Sequence, residues 1–118
     1  MVSMRTLTVL GAILCGTALA SCAQTESAPN RPQPKTHMVI MEGMVFRPDV
    51  ITVAPGDTIV WVNKDMVPHN AMSAAAGFDS TVILANKSWR YTVPDRKGDF
   101  DYICSFHPTT MTAKLLVR

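Results

Sequence analysis

The sequence predicts an all-β protein, a Greek-key β-sandwich of about seven to eight strands, and three observations carry that expectation. Beyond residue 36, apolar, β-branched and aromatic residues come in short runs. Gly, Pro, Asp and Asn clusters punctuate those runs at close spacing, which is the pattern of strands joined by tight turns. No amphipathic helical period is found after the first stretch of the chain.

Residues 1–21 form a leader. Arg5 supplies a positive charge, residues 7–20 are apolar or small apart from two threonines, and the first acidic residue is Glu26, a secretory signal pattern. The apolar run is too short to span a bilayer comfortably. The leader ends in Leu19-Ala20-Ser21-Cys22, which resembles a bacterial lipoprotein signal with Cys22 as the lipidated first mature residue. Cleavage at a small-residue site near Ala20 or Ala23, releasing a soluble protein, fits the same stretch. Both readings place the protein outside the cytoplasm, in the periplasm or cell envelope. Residues 22–36, with prolines at 29, 32 and 34 among Gln, Ser, Thr and Asn, predict an extended tether without a core.

Residues 37–118 are then the folded unit. His37 to Phe46 is β-compatible, and Val50 to Val53 is short and β-branched. Pro55-Gly56-Asp57 is a turn signal, and Thr58 to Val62 follows as a β-branched and aromatic run. Thr81 to Leu84, Trp89 to Val93, Phe100 to Cys104 and Lys114 to Val117 complete the set, with Asp95 to Gly98 as a polar turn. Alternation sends Phe100, Tyr102 and Cys104 to one face and Asp99, Asp101 and Ile103 to the other. Trp61 and Trp89 are expected core anchors. Met38, Met41 and Met44 are expected to pack rather than converge on a metal, because a strand turns alternate residues to opposite faces. His37 is expected to be solvated at the start of the domain.

Charge excludes one class of partner. Eleven basic and nine acidic residues give a net charge of +2, without the basic stripe that nucleic-acid binding needs.

Chemistry concentrates near the C-terminus. Cys104-Ser105-Phe106-His107-Pro108-Thr109-Thr110-Met111 brings a thiolate, an imidazole and a thioether into one short stretch, and Val67-Pro68-His69-Asn70 adds a second imidazole. Two histidine nitrogens and a cysteine sulfur in a plane, with a weak axial methionine, make an electron-transfer copper site. Cys15 belongs to the leader and Cys22 to the processing site, so Cys104 stands alone, as a metal ligand or reactive thiol does in an oxidising compartment. Zinc is the competing metal, but it prefers closure by cysteine and histidine, and a thioether suits it poorly.

These residues, with Phe46-Arg47-Pro48, Val53-Ala54-Pro55-Gly56-Asp57-Thr58, Trp61-Val62-Asn63-Lys64-Asp65 and Gly98-Asp99-Phe100-Asp101-Tyr102-Ile103-Cys104, resemble the cupredoxins, the small blue copper proteins, in their amicyanin and plastocyanin-like branch. The resemblance implies one type 1 copper held by His69, Cys104, His107 and Met111. It also implies that Asn70 braces the loop carrying Cys104 and that His107 presents a ring edge as the electron port. Three residues separate His107 from Met111, where amicyanin-like sequences have two and plastocyanins four. Ala113 replaces a glycine common at that position.

The resulting expectation is a monomeric single-electron carrier working with redox partner proteins and, in the lipoprotein reading, tethered to a membrane through Cys22. Cu(I) storage or delivery is the alternative, motivated by eight methionines in a short chain. Metal catalysis needs an open coordination position or a second metal with acid or base groups nearby, and three histidines are too few to build one, so an enzyme is not expected. Asp65, four residues before His69, is expected to order its loop rather than act as a base.

Overall fold

Nine short strands, β1 (Thr36–Met41), β2 (Phe46–Arg47), β3 (Val50–Val53), β4 (Thr58–Asn63), β5 (Met72–Ser73), β6 (Phe78–Asp79), β7 (Ser88–Thr92), β8 (Gly98–Ile103) and β9 (Thr112–Val117), build two sheets. They belong to a computed structural model that describes Gly11 and residues 31–118. One sheet has the order β2-β1-β4-β7 and the other β3-β9-β8-β5-β6. Each contains one parallel pair, β1 with β4 and β3 with β9, so the chain crosses between the sheets as well as running through antiparallel pairs such as β1–β2 and β8–β9. The predicted all-β sandwich is the fold. Apart from Gly11, the leader with Cys15, and Cys22 at the head of the tether, lie outside the described residues. Among the described residues no helix is long and apolar enough to cross a membrane.

The larger strand count comes from very short pairings. The run from His37 to Phe46 is not one strand: it breaks after Met41 at a turn where Gly43 and Met44 have φ of +66° and +61°, the left-handed pair that a two-residue hairpin turn requires. That turn also resolves the methionines: Met41 is fully buried, Met44 packs against the core, and Met38 is 62% exposed. Thr81 to Leu84 forms no strand, only an isolated bridge between Ile83 and His69. The small-residue loop after Asn70 instead supplies β5 and β6. On β8, Phe100 and Tyr102 face inward and Asp99 and Asp101 outward, as period two dictates.

An aromatic cluster fills the space between the sheets. Trp61, on the central strand β4, is fully buried and has Trp89, Phe78 and Tyr102 at ring-centroid distances of 5.3, 5.4 and 5.7 Å. Phe46 closes on Tyr102 at 4.8 Å. Burial pushes the Tyr102 phenol up to about 12.

Asp57 ties the start of the domain down. Ala54-Pro55-Gly56-Asp57 is a turn closed by the Asp57 N–H donating to the Ala54 carbonyl at 3.1 Å, with Gly56 at φ +88°, the positive value a type II turn needs at its third position. The Asp57 carboxylate accepts from the Lys35 and Ala54 amides at 2.8 and 3.0 Å and pairs with His37 Nε2 at 2.7 Å. His37 is therefore half-buried and bonded rather than solvated. The Ala54 and Lys35 amides outweigh burial and, with His37, hold the Asp57 carboxyl at about 2, below its ordinary 3.8. A lowered folded-state value stabilises above the unfolded value and is lost as pH falls through the folded one. Discounted for solvent screening, this is worth about 1–2 kcal/mol. Acid titration of stability is expected to show that loss between about pH 4 and 2; Asp57→Ala removes that part of the slope and lowers stability at neutral pH.

Candidate metal centre

Cys104 follows β8 directly and continues the inward face of Phe100 and Tyr102. It is fully buried and is the free cysteine among the described residues. The stretch after it is wound tightly: the His107 N–H donates to the Cys104 carbonyl at 3.1 Å and the Met111 N–H to the His107 carbonyl at 2.9 Å. The Cys104 N–H donates to the Met111 carbonyl at 3.0 Å, closing the stretch across the β8–β9 ladder. Pro108, Thr109 and Thr110 are exposed while Met111 is fully buried. The extra residue before Met111 is thus taken up at the surface, and the thioether stays inside.

His69 is fully buried and its backbone exchanges two hydrogen bonds with Ile83, 3.1 and 2.7 Å. Its Nδ1 lies 3.9 Å from Cys104 Sγ, and its Nε2 is 2.8 Å from Asp65 Oδ2. Burial pushes the Asp65 carboxyl up, but hydrogen bonds from the Met44 amide, the His69 ring and the Gly43 amide prevail and hold it below the ordinary range. A third strut comes from Asn63, whose Nδ2 donates to the Val67 and Ile83 carbonyls at 2.8 and 3.0 Å and whose Oδ1 accepts from the Asp65 amide at 2.9 Å.

Asn70 joins the two segments. Its Oδ1 accepts from the Ser105 N–H at 2.7 Å, its Nδ2 donates to Ser105 Oγ at 2.9 Å, and its own N–H points at Cys104 Sγ at 3.4 Å. The brace implied by the resemblance is present, and its partner is Ser105. The His107 ring sits edge-on to His69, 5.3 Å between centroids, and is half-exposed. Around this end Met66 is 90%, Phe106 47% and Val67 43% exposed.

The donor chemistry fits a soft transition metal. Cys104 Sγ and His69 Nδ1, 3.9 Å apart, are near enough for one metal ion to be held by both, and a thiolate with an imidazole is a donor set that suits copper. Among the described residues no three His, Cys, Asp or Glu side chains make a ready metal cluster. The structure brings His69 and Cys104 face to face, with the His107 ring alongside and Met111 buried at the end of the same loop. In sequence, Asp65 is expected only to order its loop, with no role toward His69. The signal was there, a carboxylate four residues ahead of a candidate ligand, but only the loop geometry turns it onto the ring.

A family model described as a cupredoxin-like domain matches residues 11–117. The chain belongs to that family. This cupredoxin-like chain is 27% identical over 86 residues to amicyanin of Paracoccus versutus, across 69% of the chain and 64% of the relative. It is 28% identical over 79 residues to plastocyanin of Nostoc punctiforme, across 54% and 57%. The chain thus spans less than two thirds of these curated relatives. Among solved structures, a Cu(I) form of an amicyanin variant matches with TM-score 0.64 and 25% identity, covering 70% of this chain and 82% of that one. A Cu-containing nitrite reductase from Thermus scotoductus matches with TM-score 0.63 and 26% identity, covering 75% and 23%.

Proposed function

We infer that this chain is a single-electron carrier in which His69, Cys104 and His107, with the Met111 thioether as a weak fourth donor, would hold one type 1 copper. The observation that carries this reading is the buried pair of His69 Nδ1 and Cys104 Sγ at 3.9 Å, with a second, half-exposed imidazole beside it. When bound, copper supplies a one-electron couple, Cu(II) to Cu(I). The protein's part is to keep the donors still. Asn70 pins Ser105, and therefore Cys104, to the His69 segment, while Asn63 fixes the other end of that segment. His107 offers its ring at the surface within an apolar rim of Met66, Val67 and Phe106, suited to brief docking of redox partners, whose encounters bury little area.

Residues 1–21 serve as an export leader, 22–36 as a tether whose last two residues, Lys35 and Thr36, are bonded into the sandwich, and 37–118 as the copper domain of a carrier in the periplasm or cell envelope, with Cys22 available for a lipid. The Cu(I) storage alternative draws no support from the strand methionines, since Met38 is exposed while Met41 is sealed in the core. Amicyanin and plastocyanin resemblance favours a carrier over an enzyme.

Titration of the metal-free protein with Cu(II) tests the assignment. An intense visible thiolate-to-copper charge-transfer band saturating at one copper per chain, with a matching EPR signal, is the expected result. Colourless binding, or several tightly held coppers per chain, overturns it.

A further inference from the structure

We propose that Asp65 is a positioning residue that sets the tautomer of His69 and locks the imidazole to the turn between β1 and β2. The proposal rests on the copper reading only for its metal-binding consequence; the tautomer belongs to the metal-free protein.

Three donors converge on this one carboxylate. Oδ1 accepts from the Gly43 amide at 2.7 Å, and Oδ2 accepts from the Met44 amide at 3.0 Å and lies 2.8 Å from His69 Nε2. Backbone amides can only donate, so both oxygens already act as acceptors, and an ionised carboxylate has no hydrogen to give, so the ring must donate as well. His69 therefore carries its hydrogen on Nε2 and leaves the Nδ1 lone pair facing Cys104 Sγ, 3.9 Å away. An acceptor on the far ring nitrogen is the arrangement that orients a metal-binding histidine and raises its basicity.

The same carboxylate holds a costly backbone. Met44 is a non-glycine residue at φ +61° beside Gly43 at +66°, a conformation that a side chain resists. Both amides of that turn end on Asp65. The ligand histidine is thereby referenced to the β1–β2 hairpin in one sheet, while Asn70 references it to the loop after β8 in the other.

Asp65→Asn keeps the shape and replaces one oxygen by an NH2 group. Either placement sets that group against a backbone N–H, and at the Oδ2 position it also donates toward Nε2, favouring the tautomer with hydrogen on Nδ1. Nitrogen-15 NMR of the metal-free, full-length protein should show wild-type His69 protonated on Nε2. The D65N variant should shift toward the other tautomer and lose amide protection at Gly43 or Met44. Cu(II) affinity is expected to fall about 10–100-fold. Asp65→Glu, which retains the carboxylate, should keep the Nε2–H tautomer. Wild-type His69 protonated on Nδ1, or D65N with unchanged tautomer and affinity, overturns the proposal. Failure of the copper reading is distinguishable, because wild-type protein then shows no charge-transfer band whatever the tautomer proves to be.

Discussion

Replacing Cys104 with alanine is expected to abolish the visible charge-transfer band altogether. It should also reduce Cu(II) affinity by more than the roughly 10–100-fold that loss of an outer partner costs a metal site. The band requires a sulfur-to-copper bond, and Cys104 is the free cysteine of the described residues. The change removes a single sulfur from a fully buried position, so the fold should persist, with unfolding followed by circular dichroism as the control. Only the Asn70 N–H, which points at Sγ, loses its acceptor; the Ser105 amide still donates to Asn70 Oδ1, and the His107 amide to the carbonyl of residue 104. A folded C104A protein that keeps an intense blue band would refute the assignment of Cys104 to the metal.

Truncating Trp61 should produce the largest loss of stability. Its indole is fully buried on the central strand of its sheet and touches rings from β6, β7 and β8, so alanine leaves a cavity bordered by both sheets. Such Trp-to-Ala changes cost about 3–5 kcal/mol, a large share of the stability of a domain this small. Phenylalanine at the same position should cost much less. Trp61 Nε1 is buried without a well-formed hydrogen bond, the likewise unbonded Tyr102 hydroxyl being close enough to feel it, so Trp61→Phe gives up at most a weak polar contact along with part of the ring volume. Denaturant melts of the two variants check this: similar losses for both would mean the indole N–H finds a partner in solution.

Strands with two clear faces were the most legible part of the sequence. Phe100-Asp101-Tyr102 alternates strictly, and the structure follows it. The β1–β2 break was masked because Met41, Met44 and Phe46 are all apolar and outweigh the brief Glu42-Gly43 interruption between them; the turn is pinned from afar by Asp65, twenty-two residues from Gly43. Thr81 to Leu84 misled for the opposite reason. Its β-branched residues read as a strand, yet the segment serves as a single rung beside His69, leaving Val82 and Leu84 exposed. The candidate donors were legible as residue types in order. The supports were less so, since Asn63 bonds backbone groups that no side-chain pattern records, and Asp65 and Ser105 meet their partners only through loop geometry.

The parallel pairing of β1 with β4 gives the domain a direction. The Thr58 amide donates to the Lys35 carbonyl at one end of the pair, and at the other end Met41 stands opposite Asn63, whose side chain holds the His69 loop. Five residue steps of about 3.3 Å place these ends roughly 17 Å apart. Whatever grips the chain ahead of Lys35 therefore grips it at the pole away from His107. In the proposed tethered carrier, that placement would leave the histidine end as the one turned away from the mooring, like a buoy on its chain.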